Sequence, residues 1–257
     1  MSKFADKLGR IYKTAAPAIG FRKPAEEAEL PALLLIADVA KTGAKKTKGV
    51  VDSGIDAAVV SSEAFDATSA KELAASMNNT PLGLLLEKES SQEKIQELVA
   101  LQWDFVVFDL QTPLEAINKE GLGKILKIEP SLAPGLVRAI NDLSFDIDAV
   151  LIAGENSVTF ECLLTCQFLS SVINKPLLIH GNSSLTSNEL NNLREAGIKG
   201  LILPEGTLPK AVAELKKLIG NLPKTPRRKA KASSALLPHI VPETRVEKEG
   251  EEEEEDI

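Results

Sequence analysis

Eight short aliphatic runs, each followed by a polar turn and a segment of helical period, predict an α/β fold for residues 31–220, a closed (β/α)8 barrel of the TIM class. Three observations carry this. The runs recur at intervals of roughly 20 to 28 residues, about the length of one strand–helix unit with its crossover. Each run lacks polar alternation, as a strand covered on both faces does. Aromatic residues make up only 4% of the chain while Leu, Ala, Ile and Val abound, which suits packed helices and parallel strands better than an antiparallel sandwich. An open doubly wound sheet is the competing arrangement, and eight near-equal units without a long insertion favour closure.

The strands are expected at Ala32–Ile36, Ala57–Val60, Leu82–Leu86, Phe105–Phe108, Ile125–Ile128, Ala149–Ala153, Leu177–Ile179 and Gly200–Leu203. Each is too short for a buried helix. The helical segments fill the gaps. Lys45–Val51 is the weakest. Ser69–Met77 and Ser90–Leu101 open on serine caps, and Glu115–Lys124 follows Pro113. Leu136–Leu143, Thr159–Ile173, Thr186–Ala196 and Leu208–Ile219 follow, the last two closed by Gly197 and Gly220. Thr186 and Glu189 have capping-box spacing.

Two flanking segments lie outside the repeat. Residues 1–30 form a leader in which Phe4, Leu8, Ile11, Tyr12 and Ala15 make one helical stripe beside Lys3, Lys7, Arg10 and Lys13. This is a basic amphipathic helix. It either plugs the bottom of the barrel, the favoured reading, or lays residues 1–15 on a membrane surface. Residues 221–257 form a tail with four prolines, the basic cluster Lys224, Arg227, Arg228, Lys229 and Lys231, and then an acidic run. The tail has too little apolar surface to offset its ordering entropy and reads as disordered.

The net charge of −7 is a property of that tail: residues 1–242 carry 28 basic and 28 acidic groups. Without the basic cluster as well, residues 1–223 are acidic, 23 basic against 28 acidic. The cluster has no interleaved aromatic residue and lies near the acidic run, so nucleic acid is not an expected partner. No apolar run approaches the length of a membrane span, and Met1–Thr14 lacks a secretory h-region. Cys162 and Cys166 sit four apart on a helical pattern and so share a face, which reads as buried thiols on an amphipathic helix. Two cysteines make no disulfide framework, and a reducing, cytoplasmic setting follows.

Barrel enzymes place their reacting groups at the carboxyl ends of the strands. Those positions hold Asp38, Glu63, Glu87, Asp109, Glu129, Glu155, His180 and Glu205. Crowded carboxylates repel, so some have raised pKa values or cations neutralise them, either Lys41, Lys88 and Lys127 or a divalent metal. In Ile125-Leu126-Lys127-Ile128-Glu129, alternation turns Lys127 and Glu129 inward and the aliphatics outward. An inward lysine is a Schiff-base former or electrophile, or else half of an ion pair with Glu129 or Asp109. Asp109, Lys127 and His180 are the candidate catalytic set, with His180 as proton shuttle. Asp38 and Glu87 are the candidate substrate contacts among the strand-end carboxylates.

Two stretches resemble known families. Ile179–Glu205, with His180-Gly181-Asn182 after a strand and Leu193–Leu203 beyond, resembles the last two units of aldolase-type phosphate-binding barrels, such as the ribulose-phosphate-binding group. That resemblance implies a Gly-rich turn at Gly181, Asn182 and Ser183 whose amides hold a substrate anion. Pro204-Glu205-Gly206-Thr207 departs from the second turn of that family, because Pro204 lacks an N–H and Glu205 repels anions. The second stretch is Lys127-Ile128-Glu129, with Asp148–Asn156 and then Gln167 to Pro176. It is similar to the phosphoenolpyruvate/pyruvate-domain barrels. This implies Lys127 as electrophile, with Glu129 and Glu155 holding Mg²⁺ or Mn²⁺ as a Lewis acid. The family's Gly-Asp is Gly154-Glu155 here, and no strand end carries Arg.

The function expected is that of a metal-assisted or Schiff-base lyase or aldolase acting on a small oxoacid-like substrate. The alternative is a barrel without chemistry that binds partners through its leader and tail.

Overall fold

The computed structural model describes residues 2–14, 30–39, 44–62, 73, 77, 79–86, 103–154 and 157–223. All eight strands form: β1 Leu34–Asp38, β2 Ala57–Ser61, β3 Leu82–Leu85, β4 Phe105–Phe108, β5 Gly123–Ile128, β6 Ala149–Ile152, β7 Leu177–His180 and β8 Ile198–Leu203. They pair in sequence order, all parallel, and β8 returns to β1 with Leu35 beside Leu201, closing the ring. The described helices, numbered in chain order, are α1 Lys3–Thr14, α2 Ala44–Asp52, α3 Leu114–Ile117, α4 Pro134–Ala139, α5 Phe160–Val172, α6 Ser187–Glu195 and α7 Pro209–Gly220.

Strand alternation divides the buried residues into two sets. Leu35, Ala58, Leu84, Val106, Leu126, Val150, Ile179 and Leu201 face outward into the layer under the helices. Leu34, Ile36, Val59, Phe105, Val107, Ile125, Leu151, Leu178 and Ile202 fill the barrel itself. Phe4, Leu8 and Ile11 of α1 belong to this inner set. The leader is therefore the plug, and its apolar stripe is taken up by the barrel rather than free for a membrane surface. Burying Phe4 and Leu8 completely contributes roughly 1.5–3 kcal/mol each.

The floor is built around one aromatic pair. The Phe4 and Phe105 rings lie 4.6 Å apart between centroids. Gly83 and Gly123 make room for Phe105 on either side: a Cβ on Gly83 would fall 2.1 Å from the ring, and one on Gly123 would fall 2.6 Å from Ser2 Oγ. Asp104, just before β4, caps α1 by accepting hydrogen bonds from Ser2 Oγ (2.8 Å), Lys3 N (2.8 Å) and Phe4 N (2.9 Å). Asp56, just before β2, is buried. It accepts the Lys7 ammonium at 2.5 Å, the Lys216 ammonium at 2.6 Å and the Leu35 N–H at 2.9 Å.

Local signals decide several helix ends. The capping box at Thr186 and Glu189 forms in both directions, and Gly197 takes φ +98° just past α6. Gly220 ends inside α7, with Asn221 as the cap. The segment expected as a helix over Glu115–Lys124 is a single turn, α3. Gly121 at φ +78° reverses the chain there, and Gly123 is claimed by β5 against Phe105 and Ser2. The weak segment near Lys45 does form α2. The expected helices over Ser69–Met77 and Ser90–Leu101, and the tail from residue 224, lie wholly or mostly outside the described residues. No helix among the described residues is long and apolar enough to cross a membrane.

Candidate functional site at the carboxyl ends of the strands

The inward parity that places Leu34 and Ile36 inside the barrel carries Asp38 to its mouth, half-buried. The same parity turns Lys127 inward beyond Ile125, level with Leu151 and Leu178 across the neighbouring strands. His180 stands one step above Leu178. Burial holds its imidazole below the ordinary value, and the nearby Lys127 charge lowers it further. At neutral pH His180 is therefore an uncharged imidazole, able to accept a proton.

Asp109 follows β4, whose register sets Phe108 beside Leu126. Continuing by one residue brings Asp109 next to Lys127. Asp109 Oδ1 holds its own turn, accepting from Gln111 N at 2.9 Å and Thr112 Oγ1 at 3.2 Å. Oδ2 is buried without a hydrogen-bond partner among the described residues. The Asp109–Lys127 hydrogen-bonded pair that would make both residues structural is not formed through that oxygen. A buried bare carboxylate oxygen is costly and marks a place where a proton or ligand group would be held.

The other candidates divide. Gly181 is buried, and its N–H donates to Ile202 O at 3.0 Å, so it holds the barrel edge rather than an anion. Asn182 Oδ1 accepts from Ser184 N (2.9 Å) and Ser184 Oγ (3.1 Å), closing the turn on itself around half-buried Ser183. The turn after β8 closes likewise, with Thr207 Oγ1 donating to Pro204 O at 2.6 Å. Each turn thus commits some of its polar groups internally, Gly181 N and the Ser184 donors in the first and the Thr207 donors in the second. Glu129 is exposed beyond β5. Glu63, Glu87, Glu155, Lys41 and Lys88 lie outside the described residues. Among the described residues, no group of three His, Cys, Asp or Glu side chains is arranged to hold a metal ion.

Beside the mouth, between the tops of β6 and β7 and helix α5, lies a cleft of about 330 Å³. His180, Glu161, Thr165, Cys162 and Cys166 line it. Cys166 is buried, as expected, while Cys162 is half-buried on the face where the candidate site lies. Thr159 caps α5 by accepting the Cys162 N–H at 3.1 Å. The Cys162 and Cys166 sulfurs are 4.0 Å apart. The four-residue spacing was visible in the sequence. What was not visible is that this face of α5 overhangs a gap rather than packing flush on β6 and β7.

Fold and site together define a (β/α)8 barrel with its polar residues at the carboxyl ends of the strands. Solved structures agree. The chain is similar to a putative fructose-1,6-bisphosphate aldolase from Coccidioides immitis, at 12% identity over 84% of this chain and 94% of that one, TM-score 0.58. It is similar to the tryptophan synthase alpha chain of Legionella pneumophila, at 11% identity over 86% and 98%, TM-score 0.59. It is also similar to the thiamine phosphate pyrophosphorylase of Pyrococcus furiosus, at 13% identity over 74% and 96%, TM-score 0.55. These likenesses concern the fold. No protein-family model and no curated protein matches the sequence.

Proposed function

We propose that the barrel is a lyase or aldolase-type enzyme acting on a small oxoacid-like substrate, with Lys127 as its Schiff-base former or electrophile. The observation that carries this is the inward Lys127, whose charge reaches the neutral imidazole of His180, with Asp109 one residue beyond the paired register on the neighbouring strand. A Schiff base needs an amine to attack the substrate carbonyl and a group to move protons as water leaves. In this reading Lys127 attacks, His180 accepts and returns the proton, and Asp109 holds the developing charge. That barrels of similar fold include enzymes supports the class of reaction and goes no further.

Borohydride trapping tests the proposal. Full-length protein incubated with pyruvate or a longer 2-oxoacid and then reduced should carry the adduct mass on the peptide containing Lys127, and Lys127→Met should lose it. An unlabelled Lys127 across the oxoacid series would remove the covalent form. In the metal-assisted form Glu129 and Glu155 would hold Mg²⁺ or Mn²⁺ as a Lewis acid, and calorimetric titration with each ion tests it separately. The competing reading is a barrel that binds partners through its leader helix and charged tail; burial of Phe4, Leu8 and Ile11 in the barrel weakens its leader part, and the tail lies outside the described residues. A cytoplasmic setting, suggested by two free cysteines, is part of the proposal.

A further inference from the structure

We propose that Cys162 is a reactive thiol that forms mixed disulfides with small disulfide-containing molecules in the cleft above β6 and β7, with Cys166 as the proton-holding partner that sustains its thiolate. This goes beyond the reading of Lys127 and does not depend on it.

The geometry has three parts. Cys162 sits in the first turn of α5, a helix of 13 residues, where the positive end of the helix dipole favours negative charge. Cys166 is one turn further on, buried, with its sulfur 4.0 Å from that of Cys162, placed to donate its S–H to a Cys162 thiolate. Cys162 itself is half-buried and lines a cleft of about 330 Å³ that is open to solvent, which a small thiol-bearing group can enter.

The titration of the pair follows from this arrangement. The Cys166 hydrogen bond, opposed by burial and assisted by the cap at Thr159, lowers the Cys162 thiol to about 7. The same hydrogen bond and burial push Cys166 upward. Among the described residues, the other titratable groups lining the cleft are Glu161 on the same helix and His180 on β7, and His180 is neutral at pH 7. The first proton therefore leaves Cys162, and Cys166 keeps its own.

The step balances simply. The Cys162 thiolate attacks one sulfur of a disulfide RS–SR. The Cys162–SR bond forms, the RS–SR bond breaks, and RS⁻ leaves with the electron pair and takes a proton from solvent. The Cys162 sulfur is oxidised and the departing thiol is reduced. The adduct then occupies the cleft beside His180.

The test is the rate of reaction of full-length native protein with an aromatic disulfide whose released thiolate is coloured, measured from pH 5 to pH 10. One equivalent should be released rapidly, with a midpoint near 7. Mass mapping of the wild-type adduct should place it on Cys162. Cys162→Ser should lose the fast phase. Cys166→Ala should move the midpoint up toward the ordinary thiol value of about 8.5. Because a less acidic thiolate is the stronger nucleophile, that variant should be several-fold slower than wild type at pH 6 and several-fold faster at pH 9. A wild-type midpoint near 8.5, an adduct mapped to Cys166, or thiols that react only after unfolding would each overturn the proposal. The first two readouts use wild-type protein alone, so poor folding of a variant does not shelter it.

Discussion

The carboxylate of Asp104 accepts the backbone N–H of Phe4 at 2.9 Å across a sequence separation of 100 residues. One side chain thus fixes the depth at which the leader helix enters the barrel. Replacing Asp104 with Ala removes the cap from three donors at once. The expected loss is about 1–2 kcal/mol, read as a lower midpoint in urea unfolding with an unchanged slope. A smaller effect than that of an arbitrary surface alanine would mean the leader is held by its apolar face alone.

Gly83→Ala should destabilise by about 1–3 kcal/mol, the range for overpacking. The added methyl would fall 2.1 Å from the Phe105 ring, and Phe4 blocks the ring's retreat. The pair Gly83→Ala with Phe105→Leu should be less costly than the two single changes added together. Additive losses in a double-mutant cycle would place the strain elsewhere.

Asp56 is buried, while its two lysine partners are each about a third exposed. Lys7→Ala or Lys216→Ala alone should therefore cost under about 1 kcal/mol, because the remaining ammonium and solvent suffice. Asp56→Ala leaves the buried Leu35 N–H without its acceptor and should cost about 2–4 kcal/mol. Equal effects from all three changes in guanidinium unfolding would contradict this division.

The His180 imidazole is held below its ordinary value in the folded chain. The unfolded chain therefore binds the proton first as pH falls, and stability attached to neutral His180 is lost as pH drops through about 6.5, the unfolded value. Thermal unfolding from pH 8 to pH 5 should show this decline, and His180→Asn should flatten that part of the profile. A variant whose profile overlays wild type would show that His180 is as solvated folded as unfolded.

Periodicity gave the architecture because each strand's aliphatic run is set by burial on both faces, a property of the run alone. Thr186 with Glu189, and Gly197, were legible for the same reason: caps are local. The inward aim of Lys127 followed from alternation. Events set by distant partners were not legible. The helix expected over Glu115–Lys124 was cut short because Gly123 must lie against Phe105 and Ser2. Gly181 looked free to bind an anion, but Ile202 O takes its N–H. The gap that exposes Cys162 depends on how α5 overhangs two strands, which no single segment encodes.

The contact between Asp56 and Lys216 spans 160 residues, and β1 pairs with β8 across the whole ring. During synthesis, the Asp56 carboxylate emerges long before the helix that supplies its second ammonium. The first seven strands must wait with β1 and β7 as unpaired edges, open to pairing with another chain. Helix α7 therefore completes this set of contacts, and the chain is most open to mispairing in the interval before β8 and α7 emerge.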